Sequence, residues 1–334
     1  MKSFQGKRHT EAEYINGILE GDRTILSKAI TLAESNLAED NALSERIINA
    51  LLHHTGNSLR IGITGVPGVG KSSFIEVFGK QLTAAGKKIA ILTIDPSSQK
   101  TKGSILGDKT RMEELSKDPL AYIRPTASGE KLGGIHSRTR EAMLLCEAAG
   151  FEIIIIETVG VGQSETSVKN LVDFFLLLML AGAGDELQGI KKGIIEMADA
   201  IAITKADGDN ISKSEIARKE FSNALHLFPV SENGWVPKVV TCSSLEKKGI
   251  AEIITLIDDY VVKMKSNGFF NQNRKQQNVA WMKDTILYSL QSAFYNNTKI
   301  KSVLETTIQE VEAGNKEALL AAKELLAAFY KNKS

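Results

Sequence analysis

The chain has 334 residues, 43% of them hydrophobic, enough to bury a full α/β core with length left for helical additions at either end. Lysine plus arginine number 41 against 40 aspartate plus glutamate, and the resulting formal charge of +1 excludes a global field that would draw the protein onto nucleic acid or an anionic membrane. Two cysteines far apart, Cys146 and Cys242, give no basis for a disulfide framework or a paired metal motif and point to a reducing compartment.

The first residues lack the apolar core of a signal peptide, and Glu11 and Glu13 follow too soon for a transit peptide, so a cytoplasmic location is expected. Residues 10–55 carry apolar side chains at helical spacing (Ile15, Ile18, Leu19; Leu26, Ile30, Leu32; Ile47, Ile48, Leu51), interrupted at Gly21-Asp22. Residues 1–57 are therefore read as a helical N-terminal extension. From Leu59 short apolar runs alternate with amphipathic stretches, the pattern of βα units around a mostly parallel central sheet. The runs are Arg60–Thr64, Ile89–Ile94, Tyr122–Arg124, Phe151–Ile156, Asp173–Leu180, Ala200–Thr204 and Lys238–Thr241. Several are apolar at successive positions, which fits an α/β fold with helices on both faces of the sheet. The most apolar stretch, Leu171–Ala183, contains Asp173 and is too short for a membrane span, so it is read as a buried strand. A main domain over residues 58–265 follows. Beyond a polar break expected at Asn267–Gln277, apolar residues at helical spacing predict a C-terminal helical arm over 266–334, with helices near Ile300–Ala313 and Lys316–Tyr330. Asn210-Ile211-Ser212 and Asn296-Asn297-Thr298 match a glycosylation pattern that, without a secretion signal, is read as chance.

Gly65-Val66-Pro67-Gly68-Val69-Gly70-Lys71-Ser72 fits G-x-x-x-x-G-K-S between an apolar strand and a helix-like segment, and with Ser73 it forms the candidate nucleotide cradle. Glycines let successive N–H groups face a phosphate, and the helix N-terminus adds a positive dipole end. Lys71 is expected to reach the β/γ oxygens and Ser72 to offer its hydroxyl to Mg²⁺. Glu157, at the end of the run Ile153–Ile156, is the candidate acid beside the metal, and the Gly160 backbone N–H is placed to sense a γ-phosphate. Thr204-Lys205-Ala206-Asp207 resembles the guanine-recognition motif N/T-K-x-D. One carboxylate, Asp207, accepts from N1–H and the N2 amine of guanine, whereas adenine has no donor at N1. Lys205 would cover the base plane. Thr204 stands where asparagine is commoner, which predicts weaker purine affinity with guanine choice kept. Ser243, Ser244 and Leu245, after the last strand, match the loop that sets backbone N–H groups against guanine O6.

Between these motifs lie Asp95-Pro96-Ser97-Ser98, Gly103–Met112, Glu157–Glu165 and Gly184–Gly193. Together with the glycine-rich loop and Thr204–Asp207 they resemble the MeaB/ArgK/MMAA family of P-loop GTPases, chaperones of adenosylcobalamin-dependent acyl-CoA mutases. The resemblance runs from about Ile15 into the C-terminal helices. The loop lacks the early lysine of metal-insertion and minD-like ATPases; Val66 stands there. The resemblance implies GTP/GDP and Mg²⁺ as cofactors, Asp95 and Asp108 as switch I carboxylates near the metal, and Gly184–Gly193 as a third switch with Asp185 and Lys191 coupling to a mutase, methylmalonyl-CoA mutase first among them. It also implies a homodimer with helical arms at both ends, while the balanced charge leads to the expectation of no nucleic-acid or membrane partner. Arg111 and Lys109 could supply positive charge to the transition state, a surface salt bridge being the alternative. Val161 stands where small GTPases carry the glutamine that orients water, and Gln163 is displaced, so slow intrinsic hydrolysis accelerated by a partner is expected.

Two other functions compete. A small-molecule kinase, attached to this family through an amino-acid-transport label, is disfavoured by Thr204–Asp207. A metal-insertion GTPase would need a ligand array that the five histidines do not form; His53-His54 is most simply a helix-end pair.

Overall fold

The computed structural model describes residues 9–95, 112–127, 134–158, 168–182, 192–228 and 231–331. Three helices come first: α1 (Glu11–Leu19), α2 (Arg23–Ala33) and α3 (Ala38–Leu51). A capping box between Thr10 and Glu13 starts α1, and Asp22 accepts the Thr24 and Ile25 amides to start α2, so the predicted interruption at Gly21-Asp22 is a helix–helix turn. Alternation of strand and helix follows as β1 (Leu59–Gly65), α4 (Lys71–Ala84), β2 (Ile89–Asp95), α5 (Glu113–Ser116), β3 (Ala121–Ala127), α6 (Gly134–Ala148), β4 (Ile153–Thr158), β5 (Phe174–Leu180), α7 (Lys192–Met197), β6 (Ala200–Thr204), α8 (Ile211–Leu225), β7 (Lys238–Thr241) and α9 (Ile250–Ser266). Helices α10 (Phe269–Tyr295), α11 (Thr298–Glu312) and α12 (Ala318–Tyr330) complete the described chain.

The seven strands form one parallel sheet in the order β3-β2-β4-β1-β5-β6-β7. Each apolar run marked in the sequence overlaps one of them. Along the inner strands alternate residues enter opposite cores. Ile61, Ile63, Ile89, Ile91, Ile153 and Ile155 pack with Phe74 and Phe78 of α4 and with Ile253 and Tyr260 of α9. Ala90, Leu92, Ile154 and Ile156 pack with Ile18, Ile30 and Ile47 of the first three helices and with Met143 of α6. Helices therefore cover both faces, which is why these strands show no polar side. Each fully buried branched side chain contributes about 1.5–3 kcal/mol relative to exposure.

Two of the departures from the sequence reading have a clear physical cause. β3 continues through Pro125 to Ala127, because an edge strand tolerates a residue without an N–H. The polar break expected at Asn267–Gln277 shrinks to Asn267-Gly268, and α10 runs through the rest. Asn267 accepts the Phe269 amide, and the polar residues beyond are anchors: Gln277 donates to the Val172 carbonyl at 2.8 Å, and Arg274 grips Asp173 through two bonds of 2.8 and 2.7 Å.

That grip belongs to a buried network at the N-terminal end of the sheet. Arg60 forms a two-pronged pair with Glu147 of α6 at 2.8 and 3.1 Å, and the Arg60 amide donates to Asp173 at 2.8 Å. Arg274 also donates to the carbonyls of Gly56 and Ser58 and lies 4.5 Å over the Phe270 ring. Burial opposes the Arg274 charge, but its hydrogen bonds to Asp173 prevail and raise its pKa. The chain up to Gln277 forms one compact unit, and the residues from Asn278 onward form a second. In the second unit Phe294 meets Phe329 edge to face at 5.4 Å beside a cavity of about 410 Å³ lined by Leu290, Leu304 and Leu325. Met282, Ile286, Leu287, Leu319 and Leu320 of this unit are exposed.

Candidate functional site

β1 is the middle strand of the sheet, and Gly65 ends it where the chain must turn sharply toward α4. Gly65 has φ +153°, and a Cβ there would lie 2.5 Å from the Leu178 carbonyl oxygen, so only glycine fits. Gly70, at the cap of α4, has φ +92° and swings the loop into the helix start. Lys71 opens α4, and its ammonium donates to the carbonyls of Gly65 at 2.7 Å and Val66 at 3.3 Å, curling the loop around itself. Val66 and Val69 are buried against the core, while Pro67, Gly68 and Ser73 are exposed. A helix N-terminus lined by a turned-in loop, with a cation in its first turn, is an anion-binding arrangement.

Glu157 lies on β4, paired with Ile63 of β1 and Thr93 of β2, and is only 4% exposed. Its carboxylate is 3.5 Å from the Ser72 hydroxyl, which brings together the two groups singled out for a metal. One residue on, Thr158 donates to the Thr64 hydroxyl at 2.8 Å and ties the end of β4 to the end of β1. Among the described residues no group of three or more His, Cys, Asp or Glu side chains could hold a metal.

The second motif follows β6 at the same end of the sheet. Thr204 does not face outward as a substitute for an amide donor. It is buried, with its hydroxyl 2.7 Å from the Val69 carbonyl and 3.2 Å from that of Met179, so it fastens the base motif to the phosphate loop. Lys205 is exposed and takes the left-handed conformation at φ +56°. Asp207 is half-buried and accepts a 2.5 Å bond from the Ser243 hydroxyl, which in turn accepts the Glu246 amide at 3.0 Å. The Ser243 amide is spent within its own turn, on the Lys248 carbonyl at 3.0 Å, so Ser243 acts here through its side chain. Ser244 and the exposed Leu245 occupy that turn.

The structure thus brings Lys71, Ser72 and Glu157 together and links Asp207 to Ser243. Asp95 closes β2 at the same end of the sheet, its side chain lying outside the described residues, as do Asp108, Arg111, Gly160, Asp185 and Lys191. Sequence reasoning missed the hydroxyl ties Thr64–Thr158 and Thr204–Val69. The only signal for them was a threonine at or next to the end of each of the three strands.

A loop of this build, leaving the central strand of a parallel sheet in this order, defines the class: P-loop nucleotide-binding proteins. Comparison narrows it. Residues 26–299 match the model of the family described as methylmalonyl-CoA mutase-associated GTPase MeaB, and the chain belongs to that family. It is 50% identical over 274 residues to GTPase ArgK of Escherichia coli, spanning 82% of this chain and 83% of that one. It is 41% identical over 323 residues to the mitochondrial methylmalonic aciduria type A homolog of Mus musculus, covering 94% of this chain and 78% of the relative. A solved structure titled LAO/AO transport system kinase superposes with TM-score 0.77 at 38% identity, covering 96% of this chain and 98% of its own. Among the described residues no helix is long and apolar enough to cross a membrane.

Proposed function

We propose that the protein is a GTP-binding and GTP-hydrolysing chaperone that gates adenosylcobalamin loading of a B12-dependent acyl-CoA mutase, methylmalonyl-CoA mutase first among candidates, and protects or reactivates it. The observation that carries the nucleotide reading is the 2.7 Å tie from Thr204 to Val69, which joins a phosphate loop and a guanine-type motif into one site. The mutase reading rests on the family and on the name of the mouse relative. In this account Lys71 draws on the β/γ oxygens, Asp207 accepts from N1–H and the N2 amine of guanine, and Lys205 covers the base.

Ser72 and Glu157 fit Mg²⁺, which takes hard oxygen ligands and binds through one or two protein groups plus phosphate oxygens. When bound, the ion supplies neutralisation of charge on the phosphate oxygens. Asp95 and Asp108 are proposed as further metal-side carboxylates, Gly160 as the γ-phosphate sensor, Arg111 as a transition-state cation, and Asp185 and Lys191 as residues that relay nucleotide state to the mutase. Without a glutamine after Gly160, intrinsic turnover is slow and rises when the partner reshapes the loops. The exposed apolar side chains of the second unit suit a homodimer contact through the C-terminal arm, and the protein works in the cytoplasm. The domains are proposed as 1–57, 58–265 and 266–334.

The test is co-purification with the mutase followed by GTPase assay with and without it. The proposal expects a stable complex and faster hydrolysis in its presence; rapid turnover by the isolated chain, unchanged by the mutase, would contradict it.

A further inference from the structure

We infer that Asn210 is a positioning residue for guanine recognition, holding Lys205 and Asp207 in place from the start of α8; the inference rests on the guanine-nucleotide reading above. Lys205 carries a side chain yet sits in the left-handed region at φ +56°, a conformation that residues with a Cβ avoid unless their surroundings impose it. The Asn210 side-chain amide donates to the Lys205 carbonyl at 2.7 Å. A carbonyl oxygen only accepts, so it is the NH₂ end of the amide that meets it. The Asn210 backbone N–H donates to the Asp207 carbonyl at 3.0 Å. One residue therefore takes up the carbonyls of both base-recognising residues.

The helix itself supplies an independent observation. Asn210 stands at the N-cap of α8, where asparagine ordinarily turns its side-chain oxygen onto an amide of the first turn. It makes no such cap bond. Its amide nitrogen faces Lys205 and lies 3.4 Å from the fully buried Ser214 hydroxyl, so the side chain is diverted from capping to the motif. From the opposite side the Ala206 amide donates to the Cys242 carbonyl at 3.0 Å and Ser243 donates to Asp207. The motif is thus clasped between the β7 turn and α8, and α8 becomes part of the base site without touching the base.

Calorimetric GDP titration and GTP turnover of wild type, N210A, N210D, K205A and K205A/N210A test this. N210A is expected to weaken GDP about tenfold, the loss of one well-made hydrogen bond, with kcat at saturating GTP unchanged. N210D should weaken it further, since a carboxylate repels the Lys205 carbonyl. In the K205A background the N210A substitution should cost less than in the wild type, because the share of its effect exerted through the Lys205 side chain is already lost while the share exerted through Asp207 remains. Wild-type GDP affinity in N210A, or an equal loss in both backgrounds, would overturn the inference. Should N210A not fold, N210S replaces it, with a smaller loss expected and wild-type affinity again fatal. A wild-type chain that does not hold GDP would remove the guanine reading and this inference together, whereas GDP binding unaffected by N210A removes this inference alone.

Discussion

At the N-terminal end of the sheet Glu147 and Asp173 are each gripped by a guanidinium, that of Arg60 and that of Arg274, while at the C-terminal end Glu157 and Asp207 are each approached by a serine hydroxyl, from Ser72 and Ser243. The same functional group serves opposite purposes. A buried, two-pronged guanidinium matches the carboxylate in both charge and geometry and fixes the elements it joins. A neutral hydroxyl orients a carboxylate without cancelling its charge. One end of the molecule is built to stay as it is, and the other to meet donors and cations that a ligand brings.

The largest expected effect lies at the closed end. Arg274→Met leaves the Asp173 carboxylate, 1% exposed, without its guanidinium and should cost about 3–5 kcal/mol of stability in denaturant titration. R274M/D173N should recover much of that loss, and both variants, where folded, should keep GDP affinity. A pair of single and double variants equally unstable would mean that the network is not what holds α10 to the sheet. At the open end, Thr204→Val removes the tie to the Val69 carbonyl while keeping the side-chain shape. It should weaken GDP about tenfold by calorimetry, with a loss of about 1–2 kcal/mol in stability. Unchanged GDP affinity would separate the base motif from the phosphate loop.

The smallest effect concerns acid. Lys80 and Thr83 of α4 and the Leu120 amide all donate to Asp118. The Lys80 hydrogen bond, foremost, and that of the Leu120 amide bring the Asp118 pKa down from 3.8 to about 2. Because the folded-state value is depressed, the stabilisation is complete above the ordinary carboxylate range and is lost as pH falls from near 4 through 2. Asp118→Asn should lower the melting temperature slightly at pH 7 and flatten its decline between pH 4 and 2; an unaltered acid limb would rule the contact out as a source of acid sensitivity.

How legible each part was follows from the length of chain over which its cause acts. Gly65–Ser72 stood out because a phosphate cradle needs contiguous residues in fixed order, and the seven apolar runs stood out because a strand buried on both faces has no polar side. The apolar stripes of residues 10–55 were visible as helices, but periodicity cannot say what a stripe covers, and these helices join α6 in the apolar cluster on one face of the sheet. Asn267–Gln277 was misread for the same reason: Arg274 and Gln277 are polar because they bind Asp173 and the Val172 carbonyl, partners about a hundred residues away. The Thr64–Thr158 and Thr204–Val69 ties depend on strands becoming neighbours, and Asn210, taken for a chance glycosylation pattern, has its role only once Lys205 adopts its left-handed turn.

The central claim is that a phosphate loop and a guanine-selecting carboxylate act as one site. Calorimetry of the purified chain with Mg²⁺ and GTP, ATP or XTP, repeated on Asp207→Asn, tests it most directly. The account predicts binding of GTP and not ATP by the wild type, and in D207N a loss of GTP affinity of about two orders of magnitude with XTP taken in its place, because the amide now donates to the xanthine oxygen. Equal affinity for GTP and ATP, or a D207N chain that still prefers GTP, would contradict it.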